Sequence, residues 1–218
     1  MENTTRVKVK VCGLTREEDL LAAKVLGARY FGQIFYSKSP RFVGDEQAAA
    51  LREIAPFGSR VAVDVEPTPD RLAKYVSDGY NFVQIHFRPE RLTCEVVEQW
   101  SWAVSPDRLW LAPKLSDLEN FNEDWLQFAD TILVDSYSKG RFGGNGKTGN
   151  WEGFRRLVAK YPDKTFVLAG GLNGDNVLQA LEVTGATIID VNSGVEETPG
   201  LKSAEKLGAL FAQLHQSS

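Results

Sequence analysis

The chain has 218 residues, 25 Lys+Arg against 29 Asp+Glu for a net charge of −4, and 43% hydrophobic residues. That is the composition of a folded globular protein able to bury a core without staples, and its acidic balance argues against general nucleic-acid binding. No apolar run approaches the roughly 18–20 residues that span a bilayer. The first residues lack the apolar segment of a secretory signal, and two cysteines, Cys12 and Cys94, make no disulfide framework. The expectation is a cytoplasmic protein with neither a membrane nor a nucleic-acid partner.

Short β-branched or apolar runs recur along the whole chain: Val7–Cys12, Tyr30–Phe35, Arg60–Val65, Phe82–His86, Leu109–Leu115, Thr131–Asp135, Thr165–Ala169 and Thr187–Val191. Each is too short for a typical helix and reads as a buried strand. Between them lie helix signals. Thr15-Arg-Glu-Glu18 has the form of a capping box before Leu20, Ala23 and Leu26, and Gly27 stops that helix. Thr68-Pro69 is an N-cap followed by proline at the first helical position. Asn150 and Asn173 are candidate caps for two later helices, and Lys202–Leu214 reads as a last one. Ser116–Phe128, with Asn and Asp scattered through it, is the weakest helix. Alternation of this kind implies parallel strands with crossover helices. Eight such units predict a single closed (β/α)8 barrel domain over residues 1–218. An open doubly wound sheet is the competing fold, but no GxGxxG follows the first strand.

In such a barrel the chemistry sits at the C-terminal ends of the strands. The first strand ends in Lys10-Val-Cys12-Gly, and alternation puts Lys10 and Cys12 on one side and Val11 on the other. Cys12 reads either as a reactive thiol or as a small core residue. The sixth ends in Ile132-Leu-Val-Asp135, a carboxylate after three aliphatics, where desolvation would raise its pKa and suit it to acid work. The competing role is a loop-capping Asp. Arg41, after the second strand, offers a fork for carboxylate or phosphate. His86, at the end of the fourth, is the one histidine outside the tail that could act. Gly170-Gly171 and Ser193-Gly194 follow the seventh and eighth strands, the usual phosphate site of this barrel class. Four glycines between Ser136 and Gly149 suit a mobile lid. Its Gly-Lys-Thr lacks P-loop spacing, with five residues rather than four between Gly140 and Gly146.

Together these motifs resemble those of the phosphoribosylanthranilate isomerase family of tryptophan biosynthesis. They are Lys10-Val-Cys-Gly-Leu-Thr15, Gly32-Gln-Ile-Phe35 with Ser39-Pro-Arg41, Gln84-Ile-His86, Leu133-Val-Asp-Ser136 and Gly143-Gly-Asn-Gly146. Leu168-Ala-Gly-Gly-Leu-Asn173 and Asp190-Val-Asn-Ser-Gly-Val-Glu196 with Pro199-Gly200 complete the set, which spans Val9 to Phe211. The resemblance implies a cofactor-free, metal-free barrel that performs an Amadori rearrangement of a phosphosugar-anthranilate substrate. It implies Cys12 as general base and Asp135 as general acid. Arg41 and His86 would then hold the anthranilate carboxylate, and Gly170, Gly171, Ser193 and Gly194 the phosphate. A thiol base requires surroundings that favour the thiolate, with Lys10 a candidate helper.

The chain departs from the family pattern at Gln33, Asp64, Glu66, Phe87, Asn145, Gly149 and Asn192. Phe87, beside His86, is the departure expected to narrow the aryl pocket. The alternative reading is therefore a divergent barrel that binds a phosphosugar in a regulatory or changed-substrate role.

Overall fold

The computed structural model describes residues 7–115, 117–135 and 150–216. Eight parallel strands, β1 (Lys8–Val11), β2 (Tyr30–Ile34), β3 (Arg60–Val65), β4 (Phe82–Phe87), β5 (Leu109–Pro113), β6 (Thr131–Asp135), β7 (Thr165–Ala169) and β8 (Ile188–Val191), close into one barrel. Closure is made by β1 on β8, with Lys8 opposite Ile188 and Lys10 opposite Asp190. Among the described residues, six α-helices lie between strands: α1 (Glu17–Leu26), α2 (Asp45–Ile54), α3 (Pro69–Ser77), α4 (Cys94–Val104), α5 (Trp151–Lys160) and α6 (Val177–Thr184). After β8 a small antiparallel hairpin, β9 (Glu196–Thr198) and β10 (Leu201–Lys202), leads into α7 (Ala204–Gln216).

The strand pattern has a simple cause. Successive side chains point to opposite faces, so each strand feeds two cores. Cys12, Tyr30, Val61, Val63, Trp110, Leu133, Val167 and Ile188 fill the barrel interior. Val9, Val11, Phe31, Ala62, Ile85, Leu111, Val134 and Ile189 pack outward under the helices. Strands apolar on both faces read as continuous runs, which is why they stood out in the sequence.

Several local expectations are corrected. The Thr15 hydroxyl does not cap α1 but donates to the Gly200 carbonyl at 2.5 Å, tying the β1 loop to the hairpin. Ser116–Phe128 is not an α-helix: its described residues form two short 3₁₀ turns, Leu118–Asn120 and Glu123–Gln127, capped by Asp117 and Asn122. Those two side chains hydrogen-bond the nearby backbone and divert it from a longer helix. Asn173 likewise accepts from the amides of Asp175 and Asn176, which delays α6 to Val177. Asn150 does cap α5, accepting from the Gly153 amide, and Gly27 ends α1 at φ 96°.

The Phe87 ring points outward from the barrel. It is 1% exposed and packs edge-on against Trp100 and Trp125, under the helical layer. Gln33 and Asp64 also point outward by strand parity. Gln33 accepts from the Tyr80 hydroxyl, and Asp64 accepts from the Tyr75 hydroxyl at 2.6 Å and from the Val65 amide at 2.8 Å. Glu66 stands at φ 46°, a region a short polar side chain enters more readily, and its carboxylate accepts from the Arg88 amide at 3.0 Å. Removing the hydroxyl that satisfies the buried Asp64 carboxylate, in Tyr75→Phe, is expected to lower stability by about 1–3 kcal/mol. Urea unfolding would read this as a lower midpoint with an unchanged slope.

Candidate active site

A cavity of about 280 Å³ opens at the C-terminal ends of the strands. Cys12, Asp135, His86, Gly170, Gly171 and Ser193 all line it. The residues chosen from sequence are thus brought together from β1, β4, β6, β7 and β8. A second lobe of about 350 Å³ continues it over β4–β6, toward Ala112, Pro113 and Lys114. Tyr36, Val65, His86, Leu133 and Asp135 belong to both lobes.

Cys12 is 3% exposed and points inward from just beyond β1. A side chain at position 32 would lie 3.0 Å from its sulfur and 3.2 Å from Lys10 Cε. Gly32 therefore leaves the space in which the thiol and the lysine stem lie side by side. Below the thiol, Lys10 is fully buried, and its ammonium pairs with Asp190 Oδ1 at 2.9 Å. Burial pulls the Lys10 pKa down, but Asp190 and Cys12 outweigh it and hold the ammonium above its usual range. For Cys12 the balance goes the other way. Burial pushes the thiol pKa up and Asp190 adds to this, against the opposing pull of Lys10 and Lys202. Lys10 and Lys202 thus favour the thiolate, while burial and Asp190 oppose it.

Asp135 ends β6 and is exposed, reaching beyond the three aliphatics that precede it. The glycine-rich segment 136–149, with Asn145 and Gly149, lies outside the described residues.

Arg41 does not line the cavity. Its guanidinium is held by Glu196, through Nε at 2.8 Å and Nη2 at 2.6 Å. Glu196 also accepts from Lys202 Nζ at 2.8 Å, and Lys202 donates to Asn192 Oδ1 at 2.8 Å. Burial raises the Glu196 carboxyl pKa, but Arg41 and Lys202 outweigh it and hold it below the usual range. The Arg41 stem passes close to Gly13, where an added Cβ would lie 2.7 Å from Arg41 Cδ. Its charge is felt at Cys12. The hairpin thus clamps the loops after β2 and β8 through one buried carboxylate and its lysine partner. The sequence reading did not give Lys202 or Asp190 a role. For Asp190 the signal was present in its strand parity, since it shares the inward face with Ile188.

The two glycine loops touch. A Cβ on Gly194 would lie 2.1 Å from the Leu172 carbonyl oxygen, so only glycine lets the β8 loop approach the β7 loop this closely. Gly170 and Gly171 both adopt positive φ, 111° and 67°, and the Asn176 side chain holds their turn by donating to the Gly171 carbonyl. Among the described residues, no group of three His, Cys, Asp or Glu side chains is arranged to hold a metal, and no helix is long and apolar enough to cross a membrane.

The comparisons with known proteins agree with this geometry. The sequence model described as N-(5'phosphoribosyl)anthranilate (PRA) isomerase matches residues 9–213. The chain belongs to that family. A relative of the same name from Citrifermentans bemidjiense is 35% identical over 208 residues, covering 94% of this chain and 96% of its own. The Thermus thermophilus phosphoribosyl anthranilate isomerase structure superposes with a TM-score of 0.79 at 31% identity, covering 97% and 100% of the two chains. A further isomerase of the family, solved with reduced 1-(o-carboxyphenylamino)-1-deoxyribulose 5-phosphate, gives 0.73 at 28% identity over 96% and 99%.

His86 Nε2 lies 2.8 Å from the Gln84 amide nitrogen. Burial, followed by the charges of Lys10 and Lys114, pulls the imidazole pKa from 6.5 down to about 4. Within the family site His86 is thus a neutral hydrogen-bonding group. A histidine that binds its proton more weakly folded than unfolded contributes stability that is complete above about pH 6.5 and lost as pH falls toward 4. Urea midpoints of the wild type should therefore drop more steeply over this window than those of His86→Gln. Parallel pH dependence in the two proteins would contradict the assignment.

Proposed function

We propose that the protein catalyses the Amadori rearrangement of N-(5′-phosphoribosyl)anthranilate to 1-(o-carboxyphenylamino)-1-deoxyribulose 5-phosphate, in tryptophan biosynthesis. The observation that carries this reading is the convergence of Cys12, Asp135 and the two glycine loops on a single cavity. A solved family member with the reduced product bound supports the ligand class.

The chemistry asks for a proton donor at the furanose ring oxygen and a base at C2′. Asp135 gives its proton to the ring oxygen, and the C1′–O bond breaks to leave an open-chain protonated imine. The Cys12 thiolate then takes the C2′ proton, and the electron pair of that C–H bond moves to form the enolamine. Tautomerisation moves the 2′-hydroxyl proton to C1′ and yields the ketone. The substrate gains one proton from Asp135 and loses one to Cys12, so the isomer is reached with no net change.

Phosphate binds at the turns Gly170-Gly171 and Ser193-Gly194, where glycines let backbone amides approach an anion closely. The anthranilate carboxylate meets Arg41, aimed from the rim by Glu196. His86 supplies a neutral hydrogen bond in this arrangement. The walls common to both lobes, Tyr36, Val65 and Leu133, take the aryl ring. The Phe87 ring packs outward against Trp100 and Trp125, while the residue borders the second lobe beside His86.

The test is turnover of freshly generated substrate, followed by the loss of anthranilate-type fluorescence. Cys12→Ala and Asp135→Asn should each lower kcat by roughly 10²–10⁴-fold. Cys94→Ala, at the first residue of an outer helix, should stay within a few-fold of wild type. Unchanged turnover in Asp135→Asn would remove it from the mechanism. A wild type that binds phosphate compounds but turns over nothing would favour the binding role instead.

A further inference from the structure

The Lys10–Asp190 pair is a buried charged group that the mechanism above does not use. Lys10 has no exposed surface and Asp190 is 9% exposed. Their contact at 2.9 Å lies in the floor of the cavity, because β1 and β8 close the barrel with these two residues opposite each other. The Lys10 stem and the Cys12 sulfur both lie against the same glycine, Gly32.

We propose that Lys10 and Asp190 are positioning residues that poise Cys12: the Lys10 ammonium stabilises the thiolate, and Asp190 holds that ammonium in place and limits how much of its charge the sulfur feels. The proposal deepens the assignment of Cys12 as base and rests on it. The two members of the pair act on the sulfur with opposite sign. A cation beside a thiol favours its ionised form, and an anion beyond it opposes that form.

The other charges around the sulfur are fixed. Lys202 from β10 and Arg41 from the β2 loop both face it, and both are neutralised in part by Glu196. Asp135 on β6 acts on Asp190, so the acid and the base of the reaction are linked through the pair. His86 on β4 also lies in the field of Lys10, but it is neutral in the working range. Lys10 and Asp190 are therefore the pair whose removal changes the charge beside Cys12 without dismantling the hairpin clamp.

The test uses the full chain with Cys94→Ala, so that Cys12 is the sole cysteine. The rate of alkylation by iodoacetamide is measured against pH, and the midpoint reports thiolate formation. Lys10→Met should move the midpoint up by roughly one to three pH units, and Asp190→Asn should move it down. Lys10→Arg, which keeps the positive charge, should restore a midpoint near that of the parent protein. If Lys10→Met does not fold, Asp190→Asn and Lys10→Arg still carry the test. General loosening of the site would move all variants the same way, and that result, or unchanged midpoints, would overturn the proposal. Opposite shifts together with full turnover by Cys12→Ala would uphold the electrostatic pairing and strike the base assignment instead.

Discussion

The closure of the barrel by β1 on β8 is the constraint on which the site depends. It sets Lys10 against Asp190 in the interior, one pleat below Cys12. Taking two charges out of water is expensive, and removing either partner of such a pair leaves an unpaired charge at a cost of about 3–5 kcal/mol. A one-residue slip of β1 would turn Lys10 outward into the apolar layer under the helices and leave Asp190 alone. The pair therefore resists any register but the one that points Cys12 into the cavity.

Above that floor, charge is arranged in a second tier. Arg41 and Lys202 share the single carboxylate of Glu196, and Lys202 also reaches Asn192. The β9–β10 hairpin is thereby tied to the loops after β2 and β8, and the Thr15 hydroxyl ties it to the β1 loop. The cluster itself holds two cations and one anion, beside a cavity lined by Asp135 and Asp190. Asn192, one of the departures from the family pattern, joins this network through its side-chain oxygen.

Much of the architecture was legible because every strand is buried on both faces and its run of β-branched and apolar residues is bounded by turn signals. Cys12, His86, Gly170, Gly171 and Ser193 could be placed at the mouth from strand ends alone. Alternation also held the answer for Phe87, Gln33 and Asp64, which share the outward parity of Ile85, Phe31 and Ala62. Other features depend on partners far apart in the chain. Thr15 looked like a cap because its acceptor, Gly200, is distant in sequence. Arg41 looked like a free fork because Glu196 lies 155 residues away. The balance of burial against charge at Cys12 likewise needs the positions of Lys10, Asp190 and Lys202 together. Asn173 and the segment before β6 misled because Asn and Asp bind their own backbone as readily as they cap helices.

The central claim is that one cavity removes the proton from C2′ of a phosphoribosylated aryl amine after its ring has been opened. Single-turnover measurement of the substrate carrying deuterium at C2′ tests it most directly. The account predicts that the deuterated substrate is consumed more slowly than the protonated one and that the label is lost to solvent rather than carried to C1′. Equal rates in a regime where chemistry limits the turnover, or product that carries the full label at C1′, would contradict it.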